Sequence, residues 1–159
     1  MNNIFEIKKI YLIIFIISLL SLLIALYIEF FLDYNPCKLC IYQRIPYLIA
    51  IFLTFLGISY PKKLIWLYAL LLIFFLSFLL SGYHVGIDRE IFQEFSGCTG
   101  NSLNITDKNE LLKLLNSEIN SCKNGDFRIF GLSLATINFL LSFLIFVLIL
   151  KVILNEKNK

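Results

Sequence analysis

Four long apolar segments dominate the chain, separated by short polar stretches and one long polar loop. Hydrophobic residues make up 59% of the 159 positions, more than a soluble core of this size can bury. Each segment lies near the roughly 20 residues that a helix needs to cross a hydrocarbon core of about 30 Å. The pattern predicts a single all-α membrane domain over residues 1–159. We expect a four-transmembrane-helix bundle whose spans are about 10–32, 45–60, 64–85 and 131–150.

The first two segments need separate interpretation. Segment 10–32 is longer than the core of a secretory signal and no small-residue cleavage site follows it, so it is predicted to be retained. Segment 45–60 is the shortest, and its ends are therefore placed at the membrane interface, where tyrosines can anchor it.

Lysine positions predict the orientation of the bundle. With four spans, seven lysines fall on one side: Lys8, Lys9, Lys62, Lys63, Lys151, Lys157 and Lys159. In the loop of about 86–130 on the other side, acidic residues outnumber basic ones. The positive-inside rule therefore places both termini in the cytoplasm. All four cysteines then face outward, toward a compartment in which disulfides persist. The net charge of +3 reflects this bias, and nothing in the sequence indicates nucleic-acid binding.

Cys37 and Cys40 form a Cys-x-x-Cys motif in the first outer loop, about 33–44. Two sulfurs at this spacing can close and reopen a small ring, and a helix N-terminus or a cation can acidify one of them. A static disulfide or half of a zinc site would use the same spacing. Haem attachment is excluded, because that motif requires His where Ile41 stands.

Arg44 favours the redox interpretation. If a helix begins with Pro36 at its first position, Cys40 and Arg44 are four residues apart on one face, so the guanidinium could stabilise a Cys40 thiolate. Pro46 disfavours regular helical geometry at this point. An interfacial arginine that reaches the lipid headgroups is the alternative.

Cys98 and Cys122 lie in the long loop, each beside glycine or turn-forming residues. A disulfide between them would suit either thiol exchange or a structural crosslink. Between them, residues 107–120 have leucines at helical spacing and predict a short amphipathic helix. That helix would lie on the bilayer or on top of the bundle.

Two polar residues in the spans are also candidates. His84 is the only histidine and is predicted at the outer end of the third span, where a lone interfacial histidine is usually just tolerated. Asn138 in the fourth span is predicted to contact a neighbouring helix.

The chain resembles the DsbB family of bacterial inner-membrane disulfide-forming proteins. Four features carry the resemblance: the four spans, the stretch Pro-Cys-Lys-Leu-Cys-Ile-Tyr-Gln-Arg at 36–44, the distal pair Cys98 and Cys122, and Phe-Gly-Leu at 130–132. The nine-residue stretch together with the distal pair is far more specific than Cys-x-x-Cys alone.

The resemblance implies a quinone-dependent protein-disulfide oxidoreductase in the bacterial inner membrane, with its cysteines on the periplasmic side. Cys98, with Cys122 as its disulfide mate, would form the mixed disulfide with a reduced DsbA-like thioredoxin-fold partner. Electrons would pass to the Cys37–Cys40 pair through a transient Cys37–Cys122 bond. Cys40 would then face a membrane quinone, ubiquinone or menaquinone, with Arg44 stabilising the charge and His84 close to the ring.

Three alternatives stay open. A relative such as DsbI would serve a dedicated partner. A non-catalytic membrane protein would use the four cysteines for structural disulfides or as the ligands of one zinc ion. A quinone-linked reductase would run in the opposite direction, which the outward-facing cysteines disfavour.

Overall fold

The computed structural model describes residues 2–61, 63–93, 128–129 and 131–157, which form four helices and a two-stranded ribbon. The helices are α1 (Asn2–Phe31), α2 (Lys38–Ser59), α3 (Ile65–Asp88) and α4 (Leu134–Lys157). All four are long and apolar enough to cross a membrane. The predicted fold class, an all-α bundle of four membrane-spanning helices, is thereby confirmed. Cys98, Cys122 and the predicted helix at 107–120 lie outside the described residues.

The start of α2 differs from the sequence-based expectation. The helix begins at Lys38 instead of near residue 45, and it continues through Pro46. Pro36 precedes the helix and does not occupy its first position, because Cys37 is the N-cap. Proline removes only one backbone hydrogen bond, and packing against neighbouring helices tolerates that loss inside a membrane bundle. Cys40 and Arg44 therefore do share one regular helix.

Helices α1 and α3 extend beyond their predicted apolar spans, and α4 begins later than predicted. Helix α1 begins at Asn2 and α3 ends at Asp88, because a helix continues past its apolar core into the interface. Helix α4 begins at Leu134, not at residue 131, because a ribbon of β1 (Arg128–Ile129) and β2 (Leu132–Ser133) precedes it. Gly131 makes the turn of this ribbon with φ of 81°, a conformation that glycine adopts without strain.

Consecutive helices pack against one another, α1 on α2, α2 on α3 and α3 on α4. Their shared core contains one buried aromatic ring from each of the first three helices, Tyr11, Tyr47 and Phe74, together with Ile149 of α4. The outward faces are apolar and exposed, as expected of surfaces that contact lipid. Helices α1 and α2 come into close contact at Gly57, which lies against the Tyr11 ring. Small residues at such crossings allow membrane helices to pack tightly.

Gly57→Ala should destabilise the bundle. A Cβ at this position would lie 2.4 Å from Tyr11 Cε1, and the fully buried Tyr11 ring has no room to move away. Overpacking of this kind costs about 1–3 kcal/mol. Thermal unfolding of the purified protein in detergent measures the loss. Gly82→Ala is the matched control, because its Cβ would lie 3.1 Å from Phe139 Cε2 and needs only a small shift. Equal thermal stability of the Gly57→Ala variant and the parent would contradict the predicted close packing.

Candidate functional site

The two cysteines of the Cys-x-x-Cys motif lie at the start of α2. Cys37 is the N-cap with extended backbone (φ −67°, ψ 164°), and its Sγ accepts a hydrogen bond from the Cys40 amide at 3.4 Å. Cys37 Sγ also donates to Cys40 Sγ at 3.1 Å. Both sulfurs therefore lie at the positive end of the helix dipole, and the Cys37 donor is directed at Cys40. This arrangement favours negative charge on Cys40.

The two sulfurs differ in their surroundings. Cys37 is 5% exposed and packs against Leu39 and Ile87. Cys40 is more exposed and lines a cavity on the other side of α2. The motif thus presents one covered sulfur and one accessible sulfur.

His84 is fully buried within the bundle beside Cys37. Its Nε2 lies 3.6 Å from Cys37 Sγ, and its Nδ1 lies 3.0 Å from Gln43 Nε2. Because the Gln43 amide donates to Nδ1, the proton of the neutral ring is on Nε2 and faces the sulfur. Sequence reasoning placed His84 at the interface, and its contact with the motif comes from the packing of α3 on α2.

A chain of polar side chains, most of them buried, continues from His84 into the bundle. Asn138 Nδ2 donates to Gln43 Oε1 at 3.0 Å, and Tyr47 Oη donates to Asn138 Oδ1. Tyr47 Oη also lies 3.4 Å from Ser142 Oγ, which in turn lies 3.0 Å from Ser77 Oγ. The expected contact of Asn138 with another helix is confirmed. The role of Gln43 was missed, although a glutamine in an apolar helix, three residues after Cys40, signals an interior partner.

A cavity of about 230 Å³ opens between α1, α2 and α4. Its lining is mostly apolar, and its polar members include Cys40, Gln43, Arg44, Tyr47 and Asn138. Cavities of about 150 Å³ in protein cores admit benzene, so this one has room for a six-membered ring. His84 is not among the residues that line it.

Arg44 lines the same cavity as Cys40, but the structure gives it a partner that the sequence analysis did not identify. Its Nη1 donates to Oε2 of Glu29, a cavity-lining residue near the end of α1. The sequence did contain an indication of such a partner, because Glu29 is the one charged residue in segment 10–32. An ionisable residue within a membrane span usually faces the interior and has a partner.

The structure thus brings four of the predicted site residues together at one end of the bundle: Cys37, Cys40, Arg44 and His84. Cys98 and Cys122 lie outside the described residues. The donor atoms of Cys37, Cys40 and His84 lie within 4.8 Å of one another, so a thiophilic metal could also be held here if a fourth ligand were supplied.

Comparison with known proteins identifies the family of the chain. The family model described as disulfide bond formation protein DsbB matches residues 7–152, nearly the whole chain. Uncharacterized protein RP370 of Rickettsia prowazekii (strain Madrid E) is 33% identical over 145 residues, which cover 85% of this chain and 81% of the relative. The family resemblance inferred from the sequence is confirmed.

Unequal reactivity of the two thiols is the first consequence of this geometry. In a reduced Cys98→Ser and Cys122→Ser background, adding Cys37→Ser leaves Cys40 as the target, and adding Cys40→Ser leaves Cys37. A small uncharged maleimide should modify Cys40 several-fold faster, because Cys40 opens to the cavity whereas Cys37 is covered. Mass spectrometry over time measures both rates. The control is reaction in denaturant, where the two rates should converge, and a faster Cys37 in the folded protein would contradict the assignment.

Proposed function

Since this chain belongs to the DsbB family of disulfide bond formation proteins, we propose that it is a quinone-dependent oxidase of protein thiols. The proposal specifies that it reoxidises a DsbA-like periplasmic partner and passes the electrons to a membrane quinone. The observation that carries it is the position of Cys40. Its thiol lies at a helix N-terminus and opens into an apolar cavity that also contains Arg44.

The proposed setting is the bacterial inner membrane, with both termini in the cytoplasm and the cysteines on the periplasmic side. The lysine distribution supports this orientation. The long outer loop then presents Cys98 and Cys122 to a water-soluble partner, while Cys40 faces a cavity within the bundle. Two thiol pairs in series would connect a soluble donor with a lipid-soluble acceptor.

In the proposed relay, a thiolate of the reduced partner attacks the Cys98–Cys122 disulfide at Cys98. The second partner thiol then closes the partner's disulfide and leaves Cys98 and Cys122 reduced. Cys122 attacks Cys37 of the Cys37–Cys40 disulfide, Cys98 resolves that bond, and the Cys37–Cys40 pair is left as the dithiol. Each exchange transfers two electrons and conserves protons.

Several cavity residues fit a quinone ring. The apolar lining suits a lipid-soluble ring, while Arg44 and Asn138 offer hydrogen-bond donors for carbonyl oxygens. When bound there, a quinone supplies an acceptor for the two electrons and two protons that are released as Cys37 and Cys40 form their disulfide. Arg44 would stabilise the Cys40 thiolate as it forms. His84, whose Nε2–H faces Cys37 Sγ, would donate a hydrogen bond to that sulfur and stabilise negative charge on it.

Two alternatives differ in partner or in class. A DsbI-like oxidase would use the same chemistry on one dedicated partner. A structural metal site is favoured by one observation, the convergence of Cys37, Cys40 and His84. That site would hold metal in stoichiometric amount, and its thiols would not respond to quinone.

Two cysteine variants should distinguish the reduction of quinone from the capture of the partner protein. Cys40→Ser should reduce quinone-linked turnover to background, because the cavity then lacks its thiol, while Cys98 should still trap a partner as a mixed disulfide. Cys98→Ser should remove the trap and leave the Cys37–Cys40 pair reoxidisable. Quinone absorbance and non-reducing electrophoresis report the two activities. Equal loss of both activities in both folded variants would rule out the relay.

Reoxidation by quinone tests the proposed acceptor directly. The purified protein is reduced, freed of reductant and mixed anaerobically with ubiquinone or menaquinone. Alkylatable thiols should disappear as quinol appears, and Cys40→Ser should prevent both changes. Metal analysis of the same preparation is the control. Thiols that stay reduced beside one bound zinc per chain would support the structural site instead.

A further inference from the structure

The cavity beside Cys40 contains an ion pair whose acidic member, Glu29, has no part in the proposed relay. Among the described residues that line it, formal charges are carried by Arg44 and Glu29, which pair with each other. Their side chains are only 20% and 28% exposed, respectively. One cation is therefore already neutralised before Cys40 ionises.

A Cys40 thiolate would place a second anion around the same guanidinium. Cys40 and Arg44 are four residues apart on α2, so their side chains share a face, and both line the cavity. In an apolar, poorly solvated site an uncompensated charge is unfavourable, because little water is available to screen it. The Glu29 carboxylate and the Cys40 thiolate thus compete for one positive charge.

We propose that Glu29 sets the redox poise of the Cys37–Cys40 pair by competing with the Cys40 thiolate for Arg44. Glu29 acts through Arg44 and is a positioning residue. A dithiol whose thiolate is stabilised is harder to reoxidise, as in strongly oxidising disulfides whose reduced form is stabilised. By occupying Arg44, Glu29 destabilises the reduced form and so favours release of its two electrons. The inference rests on the proposed function, which supplies the direction of electron transfer.

Among the described residues, the other groups that line the cavity add no further positive charge. Helix α4 contributes no titratable side chain to the lining, and the remaining titratable neighbours from α2 and the α1–α2 connection are tyrosines, which stay neutral near pH 7. On its other side, Cys40 contacts Cys37, which in turn contacts the buried ring of His84. Within the part of the chain that the structure describes, the titratable and charged groups around this site include Glu29, Tyr34, Cys37, Arg44, Tyr47 and His84.

The test uses the full chain, without quinone or partner, in a Cys98→Ser and Cys122→Ser background. Alkylation of Cys40 by an uncharged maleimide is followed against pH with Cys37→Ser added. Glu29→Gln should shift the midpoint of this profile to lower pH by about 1 unit, the smaller end of the effect of a nearby opposite charge. With Cys37 present, equilibration with dithiothreitol should favour the reduced pair about ten-fold more, which corresponds to about 30 mV.

Matched variants serve as controls for this result. Glu6→Gln on the same helix removes a carboxylate from an exposed pair with Lys9 and should change neither quantity. Glu29→Asp retains the charge and should stay near the parent. In an Arg44→Gln background, Glu29→Gln should have little further effect, because the contested cation is gone. Elution as a monodisperse species confirms that each variant is folded.

The sign of the shift distinguishes competition from support. If Glu29 merely held Arg44 in place for Cys40, Glu29→Gln would move the midpoint to higher pH, and that result overturns the proposal. An unchanged midpoint overturns it as well. Because the measurement involves no quinone, failure of quinone reduction with the predicted shift intact would reject the proposed function alone.

Discussion

The absence of water in the hydrocarbon layer is the constraint on which this structure depends. A polar group placed there needs a partner within the protein, because an unsatisfied group costs several kcal/mol. The helices meet that requirement for the backbone. For side chains near the motif, it is met by gathering polar residues of α2, α3 and α4 into one connected set, which runs from His84 through Gln43 and Asn138 to Tyr47.

That set does more than satisfy hydrogen bonds. Gln43 receives a hydrogen bond from Asn138 and donates to His84, so α4 determines the orientation of an amide on α2, and that amide determines the proton position on a ring of α3. The ring then faces the Cys37 sulfur. Three helices are thus required to define the environment of one thiol. A loose bundle would leave the histidine proton undefined and the sulfur without a fixed neighbour.

The two faces of α2 near its start serve different purposes. One face is closed by α3 and covers Cys37, while the other borders the cavity and presents Cys40 with Arg44. The first turn of α2 joins the two faces, and the N-cap of that turn is Cys37. Helix dipole, sulfur contact and guanidinium all favour negative charge on Cys40, whereas Glu29 opposes it. The reactivity of the pair therefore depends on the balance of these short-range interactions.

The sequence by itself determined the four-helix membrane fold, the family and the position of the Cys-x-x-Cys motif, because these depend on local composition and spacing. Apolar runs of sufficient length have few structural solutions in a bilayer, and the stretch at 36–44 is specific. Tertiary structure decided which residues meet. Pairing of Arg44 with Glu29 joins helices α1 and α2, and the His84–Gln43 contact joins residues 41 positions apart. Tertiary structure also decided that α2 continues through Pro46, since the loss of one local hydrogen bond is offset by packing that no local pattern reveals.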